Sequence, residues 1–258
     1  MFPISEHISV LENMKKYPKE LYGIGNIELI KRPKVSIVGT RRPSSYTKHF
    51  TYILAQALSK RGVCIVSGAA MGVDAIAHNG AGVENTIAVV ANSLDVKYPA
   101  VNRALIESIE KNGLMLSQFP STFKATPWSF VIRNELVVAL GDVLVVTEAD
   151  ENSGSMRSVE FALKMGKKIF VLPQKLDESR GTNKLLAEGL AEPIYDIEVF
   201  SDSYGVSPLN ENIEKDEFFY FCQKVPTLDS AIEKFSNRVY EAELEGLIFI
   251  ENGLIRLA

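Results

Sequence analysis

From Lys34 to Leu172 the chain repeats one unit: a short apolar run, a loop rich in glycine or serine, then a helical pattern. Runs that are apolar throughout, rather than at alternate positions, mark strands buried on both faces. Helices between such strands make the sheet parallel. The first run covers residues 34–38 and stops at Gly39, and residues 46–61 follow as an amphipathic helix with Phe50, Ile53, Leu54, Ala57 and Leu58 on one face. Further strands are predicted at 63–66, 86–91, 114–117, 143–147 and 168–172, with helices at 73–80, 102–111, 130–140 and 155–165. The expected fold class is α/β, an extended Rossmann-like parallel sheet.

The flanks break this rhythm. Residues 1–33 are short apolar segments punctuated by Lys15-Lys16, Pro18 and Pro33, and read as a small helical or irregular lead-in. The sheet domain is expected over 34–200. Residues 201–215 are polar with Gly, Ser and Pro, the composition of a linker. Residues 216–258 offer helices at 216–224, 228–235 and 238–245, then strands at 247–250 and 254–257 around Asn252-Gly253, a hairpin turn pair. Three helices and a hairpin outline a small winged-helix-like domain. A length of 258 residues suits one large domain with such an appendage.

Charge is unevenly spread. The net value is −4, but residues 201–258 hold 11 Asp and Glu against 5 Lys and Arg, whereas residues 1–200 hold 23 Lys and Arg against 21 Asp and Glu. The larger part is therefore free to carry a local basic patch. Cys64 and Cys222 stand far apart, and His7, His49 and His78 are scattered, so neither disulfide nor metal spacing is present. No run is long enough to span a membrane, and the N-terminus, with Glu6 and Glu12, does not read as a signal peptide. The expectation is a cytoplasmic protein without metal or cofactor.

Three strand ends carry the same chemistry. Gly39-Thr40-Arg41-Arg42 places two guanidiniums where the first strand hands over to its helix, and ligands of open α/β sheets bind beyond the strands' carboxyl ends. Ser67-Gly68-Ala69-Ala70 and Asn152-Ser153-Gly154-Ser155 are small-residue loops entering helices, where backbone amides and hydroxyls can meet an anion. Each alone is equally an ordinary helix cap. Further along, Phe130, Arg133 and Asn134 combine an aromatic with a phosphate-pairing group, while Trp128 and Phe130 either face a base or fill the core. Missing are a Gly-x-Gly-x-x-Gly fingerprint, a Walker loop and a Gly-x-Ser-x-Gly elbow. Asp74 reads as ordering its own loop rather than acting as a base.

Several ordered motifs together resemble the DNA-processing protein A (DprA/Smf) family. They are Gly39-Thr40-Arg41-Arg42-Pro43-Ser44, Ser67-Gly68 through Gly72-Val73-Asp74 to Ala77-His78, Ser93-Leu94-Asp95 with Tyr98-Pro99 and Asn102, Ser153-Gly154-Ser155, and Arg180-Gly181-Thr182-Asn183. The resemblance covers residues 34 to about 190. It implies a non-enzymatic single-stranded DNA binder that helps load the RecA recombinase in natural transformation, commonly as a homodimer. On this chain the DNA-binding set becomes Gly39, Thr40, Arg41, Arg42, Ser67, Gly68, Phe130, Arg133, Asn134, Ser153, Gly154 and Ser155, with Arg41 the principal phosphate contact. Three departures stand out: Glu135 replaces the last arginine of the usual Arg-Asn-Arg, Met71 replaces a frequent arginine, and the lead-in is short for a helical N-terminal domain. The rival class is a Rossmann-like nucleotide-processing enzyme of phosphoribohydrolase type, whose Pro-Gly-Gly-x-Gly-Thr loop and paired glutamates are missing.

Overall fold

The computed structural model describes residues 1–206, 217–222, 224–244 and 246–257. Met1–Gly205 form one compact unit and Val206–Ala258 a second. The first unit is built on a nine-stranded sheet. Its strands are β1 (Phe2–Pro3), β2 (Tyr22–Gly25), β3 (Lys34–Val38), β4 (Cys64–Ser67), β5 (Thr86–Val89), β6 (Leu114–Ser117), β7 (Val143–Val146), β8 (Ile169–Val171) and β9 (Glu192–Pro193). They lie in the order β1-β2-β6-β5-β4-β3-β7-β8-β9, with β1 and β2 antiparallel to their neighbours and the other pairings parallel.

Alternation along the strands sorts side chains onto two apolar faces. Val35, Ile37, Ile65 and Val145 pack beneath α1 (Ser45–Lys60), α2 (Val73–Ala81) and α7 (Ile197–Asp202). Val38, Val66, Leu144 and Val146 face α4 (Pro127–Leu140), α5 (Gly154–Lys164) and α6 (Arg180–Ala187). Ile106 and Ile109 of α3 (Arg103–Asn112) close over Ala88, Val90 and Met115. The buried hydroxyls inside the strands each donate to a carbonyl: Ser36 to Val137 O at 2.6 Å, Ser67 to Ile37 O, Thr86 to Ile65 O and Ser117 to Asn92 O. Burial pushes the Cys64 thiol up to about 12, so it stays protonated.

The structure differs from the sequence reading at the edges of this unit. Residues 1–33 are no mere lead-in, because β1 and β2 extend the sheet, and Leu11, Met14, Leu21 and Leu29 join its core. A 3-10 turn, Ser9–Asn13, lies between β1 and β2, and a second, Ile27–Lys31, leads from β2 to β3. α4 starts at Pro127, three residues before the expected helix, because Thr126 and Ser129 cap it reciprocally. The first part of the expected linker at 201–215 belongs to this unit: Ser201 and Asp202 end α7, and Tyr204 packs on Phe170 and Phe200. Residues 207–216 lie outside the described residues. Among those described, no helix is long and apolar enough to cross a membrane.

The second unit contains α8 (Glu217–Cys222), α9 (Leu228–Phe235), α10 (Arg238–Leu244) and the hairpin β10 (Ile248–Glu251) with β11 (Leu254–Leu257). Asn252 and Gly253 take φ of 53° and 74°, the left-handed pair that matches a hairpin's twist. Phe218, Ala231, Val239, Ile248 and Ile255 form its own core.

One buried group in the first unit has a measurable consequence. His78 Nε2 accepts from Ala69 N at 3.3 Å, and Nδ1 lies 2.5 Å from the Thr86 hydroxyl, which itself donates to Ile65 O at 2.9 Å. That chain requires a neutral ring protonated on Nδ1. Burial, aided by Arg133, lowers its pKa to about 3. The unfolded chain takes up a proton near pH 6.5 and the folded one does not, so stability falls as pH drops below 6.5. Urea unfolding of the wild type should lose about 2 kcal/mol between pH 7.5 and 5 from this group, a loss missing from His78→Gln.

Candidate functional site

Strand order reverses between β3 and β7, and the loops leaving their carboxyl ends bound a cleft of about 340 Å³. Gly39, Thr40 and Arg41 line it from β3, Ser153, Gly154 and Ser155 from the start of α5, and Phe130, Arg133, Asn134 and Val137 from one face of α4. The α4 residues are spaced i, i+3, i+4 and i+7, so one helical stripe supplies that whole wall.

The arginine loop is tightly held. Thr40 N donates to Glu148 O at 2.9 Å, and Thr40 O accepts from Val73 N at 3.1 Å. Gly39 must lack a side chain, since a Cβ there would lie 2.6 Å from Val73 Cγ2. At Gly72, with φ +78°, a Cβ would lie 2.4 Å from Thr40 O. Arg42 N donates to Thr40 Oγ1 at 3.2 Å. Arg41 and Arg42 project from this frame, both exposed, and neither pairs with a carboxylate among the described residues. The Arg41 guanidinium sits 5.4 Å from the Phe130 ring centre.

Arg133 differs from its expected role. It is 5 % exposed and forms the floor beneath Phe130 rather than flanking the cleft. Its Nη1 lies 3.5 Å from both Asp74 Oδ2 and Val89 O, and its Nε has no partner. Burial lowers its pKa, Asp74 opposes that, and Arg41 adds to it. Asp74 also accepts from Ala70 N at 3.3 Å, which is the loop-ordering role expected of it.

The other expected residues divide. Ser67 is fully buried and its hydroxyl donates to Ile37 O at 2.7 Å, so it offers nothing to a ligand. Gly68 is not an amide donor in the main cleft; a Cβ there would fall 1.0 Å from Arg133 Nη1, so the glycine makes room for that guanidinium. Gly68 instead borders a smaller hollow with Met71, Asn92, Tyr98 and Phe130. Asn134 Nδ2 donates to Gly154 O at 3.3 Å, joining α4 to the start of α5. The Ser153 hydroxyl is buried without a partner, and Gly154, which opens α5, is exposed with open space around it. Trp128 is neither core nor cleft: it is 52 % exposed and packs edge-on against Phe119 and Phe123.

In the sequence, Gly72 and Tyr98 stand out only as part of the family motifs, and Glu148 is assigned no role. A glutamate after a strand carries no sign of its hydrogen bonds in its neighbours. Gly72 stands next to a helix start, and the pattern Gly-Val-Asp was visible without its reason.

A family model described as DNA recombination-mediator protein A matches residues 3–205. The chain belongs to this family. It is 34% identical to protein Smf of Synechocystis over 82% of this chain and 55% of that one, and 32% identical to DNA processing protein DprA of Bacillus subtilis over 69% and 62%. It thus spans a little over half the length of those curated relatives. The solved structure of DNA processing protein A from Helicobacter pylori, studied for its single-stranded DNA binding mode, superposes with a TM-score of 0.77 at 44% identity, over 78% of this chain and 94% of that one. The Streptococcus pneumoniae DprA structure gives 0.72 at 33% identity, over 78% and 72%. The match begins within β1, so residues 3–33 belong to the family region that the sequence reading had started at 34.

The family departures have local explanations. Glu135 turns away from the cleft and accepts from Lys15 N at 2.7 Å, fastening the N-terminal segment to α4. Met71 is exposed at the rim of the smaller hollow. Gly68→Ala should expel Arg133 from its slot and lower stability by about 1–3 kcal/mol, the scale of core overpacking, as read by thermal or urea unfolding.

Proposed function

We propose that this chain binds single-stranded DNA through the β3–β7 cleft and acts as a recombination mediator. The observation that carries the reading is Arg41: exposed, without a carboxylate partner among the described residues, and held over Phe130 at the cleft's rim. Phosphates would meet Arg41, Arg42 and the first amides of α5, with Thr40, Ser153 and Ser155 beside them, Asn134 bracing that helix start and the Phe130–Tyr98 pair (rings 6.3 Å apart) presenting aromatic surface to a base. Arg133 would add field from below, without direct contact. The one carboxyl lining the cleft, Asp74, is committed to Arg133 and Ala70 N, Glu148 beside the cleft is bonded to Ser44 N, and His78 lies beneath the surface. Without a free base, binding rather than turnover is the chemistry this arrangement supports.

The finer reading follows the family: a cytoplasmic homodimer that shields incoming single strands in natural transformation and passes them to RecA. The second unit would be a winged-helix-like module. Its α10 carries Glu241 and Glu243 against Arg238, and its hairpin Glu251 against Arg256, a surface that repels phosphate. Glu245, counted with this helix in the sequence reading, lies outside the described residues. The module is therefore proposed to contact protein rather than DNA.

Arg41→Ala should weaken binding of a labelled oligothymidylate by about 1–3 kcal/mol with an unchanged melting curve, the scale of a lost charge-assisted hydrogen bond. Unchanged affinity in a folded variant would refute the reading. Unlabelled duplex should compete less well per nucleotide than single strand, because shallow loops and an aromatic serve splayed bases. A fragment ending at Gly205, checked for folding by circular dichroism, should keep most of the affinity.

A further inference from the structure

We propose that Glu148 is a positioning residue of the DNA interface, so that an acid beside a polyanion site strengthens binding instead of opposing it. The inference rests on the single-strand reading above and concerns how the Arg41 loop is kept in shape.

Glu148 follows β7 by two residues, directly across the strand reversal from the loop that leaves β3. It grips that loop twice. Its backbone oxygen accepts from Thr40 N at 2.9 Å, and its carboxylate Oε2 accepts from Ser44 N at 3.0 Å. The two bonds bracket Arg41 and Arg42, one on each side. On the other flank, the Thr40 carbonyl is held by Val73 N, with Gly72 pressed close behind. The loop is thus fixed at both ends, while its two arginine side chains stay in solvent.

The carboxylate has a second effect. α1 has no acid of its own in its first turn, and Ser44 is its N-cap, accepting from Thr47 N at 3.2 Å. Glu148 delivers a negative charge from a neighbouring strand to that positive helix end. Its charge is thereby directed at the helix and the Ser44 amide. The side chain is absent from the lining of the cleft, so it does not occupy the place of a bound phosphate.

Simple electrostatics predicts that deleting an acid near a phosphate site tightens binding. Positioning predicts the reverse, because a freed loop must be ordered again when DNA binds. Oligothymidylate titration of the full chain, with thermal unfolding alongside, decides between them. Glu148→Ala should bind about tenfold more weakly, and its plot of log affinity against log salt should be shallower by about 0.7, one single-strand phosphate contact fewer. Glu148→Gln keeps an acceptor for Ser44 N and should recover at least half of that loss on a logarithmic scale. In an Arg41→Ala background, Glu148→Ala should cost almost nothing more, because its effect passes through Arg41. The proposal is overturned if folded Glu148→Ala binds as tightly as wild type or tighter, if Gln is as weak as Ala, or if the two losses add. Arg41→Ala itself keeping full affinity would instead sink the single-strand reading, so the two failures are distinguishable.

Discussion

The parallel pairing of β3 with β7 is the constraint on which the site depends. These strands are neighbours in the sheet but far apart in the chain, with Val35 to Val38 opposite Val143 to Val146. The helices that follow them go to opposite faces, α1 over Val35 and Ile37, α5 over Leu144 and Val146. Two loops that leave side by side and diverge cannot close over one another, and a crevice results. Most cleft-lining groups are placed by this divergence or by α4, which touches α5 through Asn134; Ala70 and Asp74 come from the loop after β4 and the start of α2.

Burial then decides which charges can act. Arg133 is desolvated, faced by a single carboxylate at the limit of hydrogen-bond distance, and repelled by Arg41. Such a group costs free energy in the unliganded protein. On the reading proposed above, an anion in the cleft would offset that repulsion through its field. Both guanidiniums lie near the Phe130 ring, at 5.4 Å and 5.8 Å from its centre, where the ring's electron-rich face attracts each cation.

The sheet was legible because its strands are apolar throughout and their loops are small-residue stretches. The arginine loop and the helix start at Gly154 followed from the same pattern. What escaped the sequence depends on neighbours brought from afar. Ser67 and Gly68 looked like anion-binding residues, yet one hydroxyl is taken by Ile37 O and the other position exists to admit Arg133. Nothing within a few residues of either reveals that. β1 spans two residues and β2 includes two glycines, too short and too plain to show periodicity; β2 holds its place by pairing with β6, and β1 by pairing with β2 at the sheet edge. Glu148 acts through a backbone amide 104 positions away, a relation no local window contains.

The net charge of −4 conceals the feature that matters. Charges beyond roughly 8–10 Å are screened at physiological salt, so a phosphate responds to nearby unpaired cations and not to the total. In the first unit many cations already face acids: Lys31 and Glu28, Arg61 with Glu198 and Asp202, Lys97 and Glu110, Arg157 and Glu160, Lys168 and Glu192. Arg41 and Arg42 form no such pair among the described residues, and they stand where the sheet opens. Meanwhile residues 206–258 hold ten Asp and Glu against five Lys and Arg. Other cations, Lys48, Lys60 and Arg103 among them, also lie in no ion pair among the described residues, but Arg41 and Arg42 are the ones set at the strand reversal. On the reading proposed above, the conformation of that loop, more than the net charge of the protein, would govern affinity.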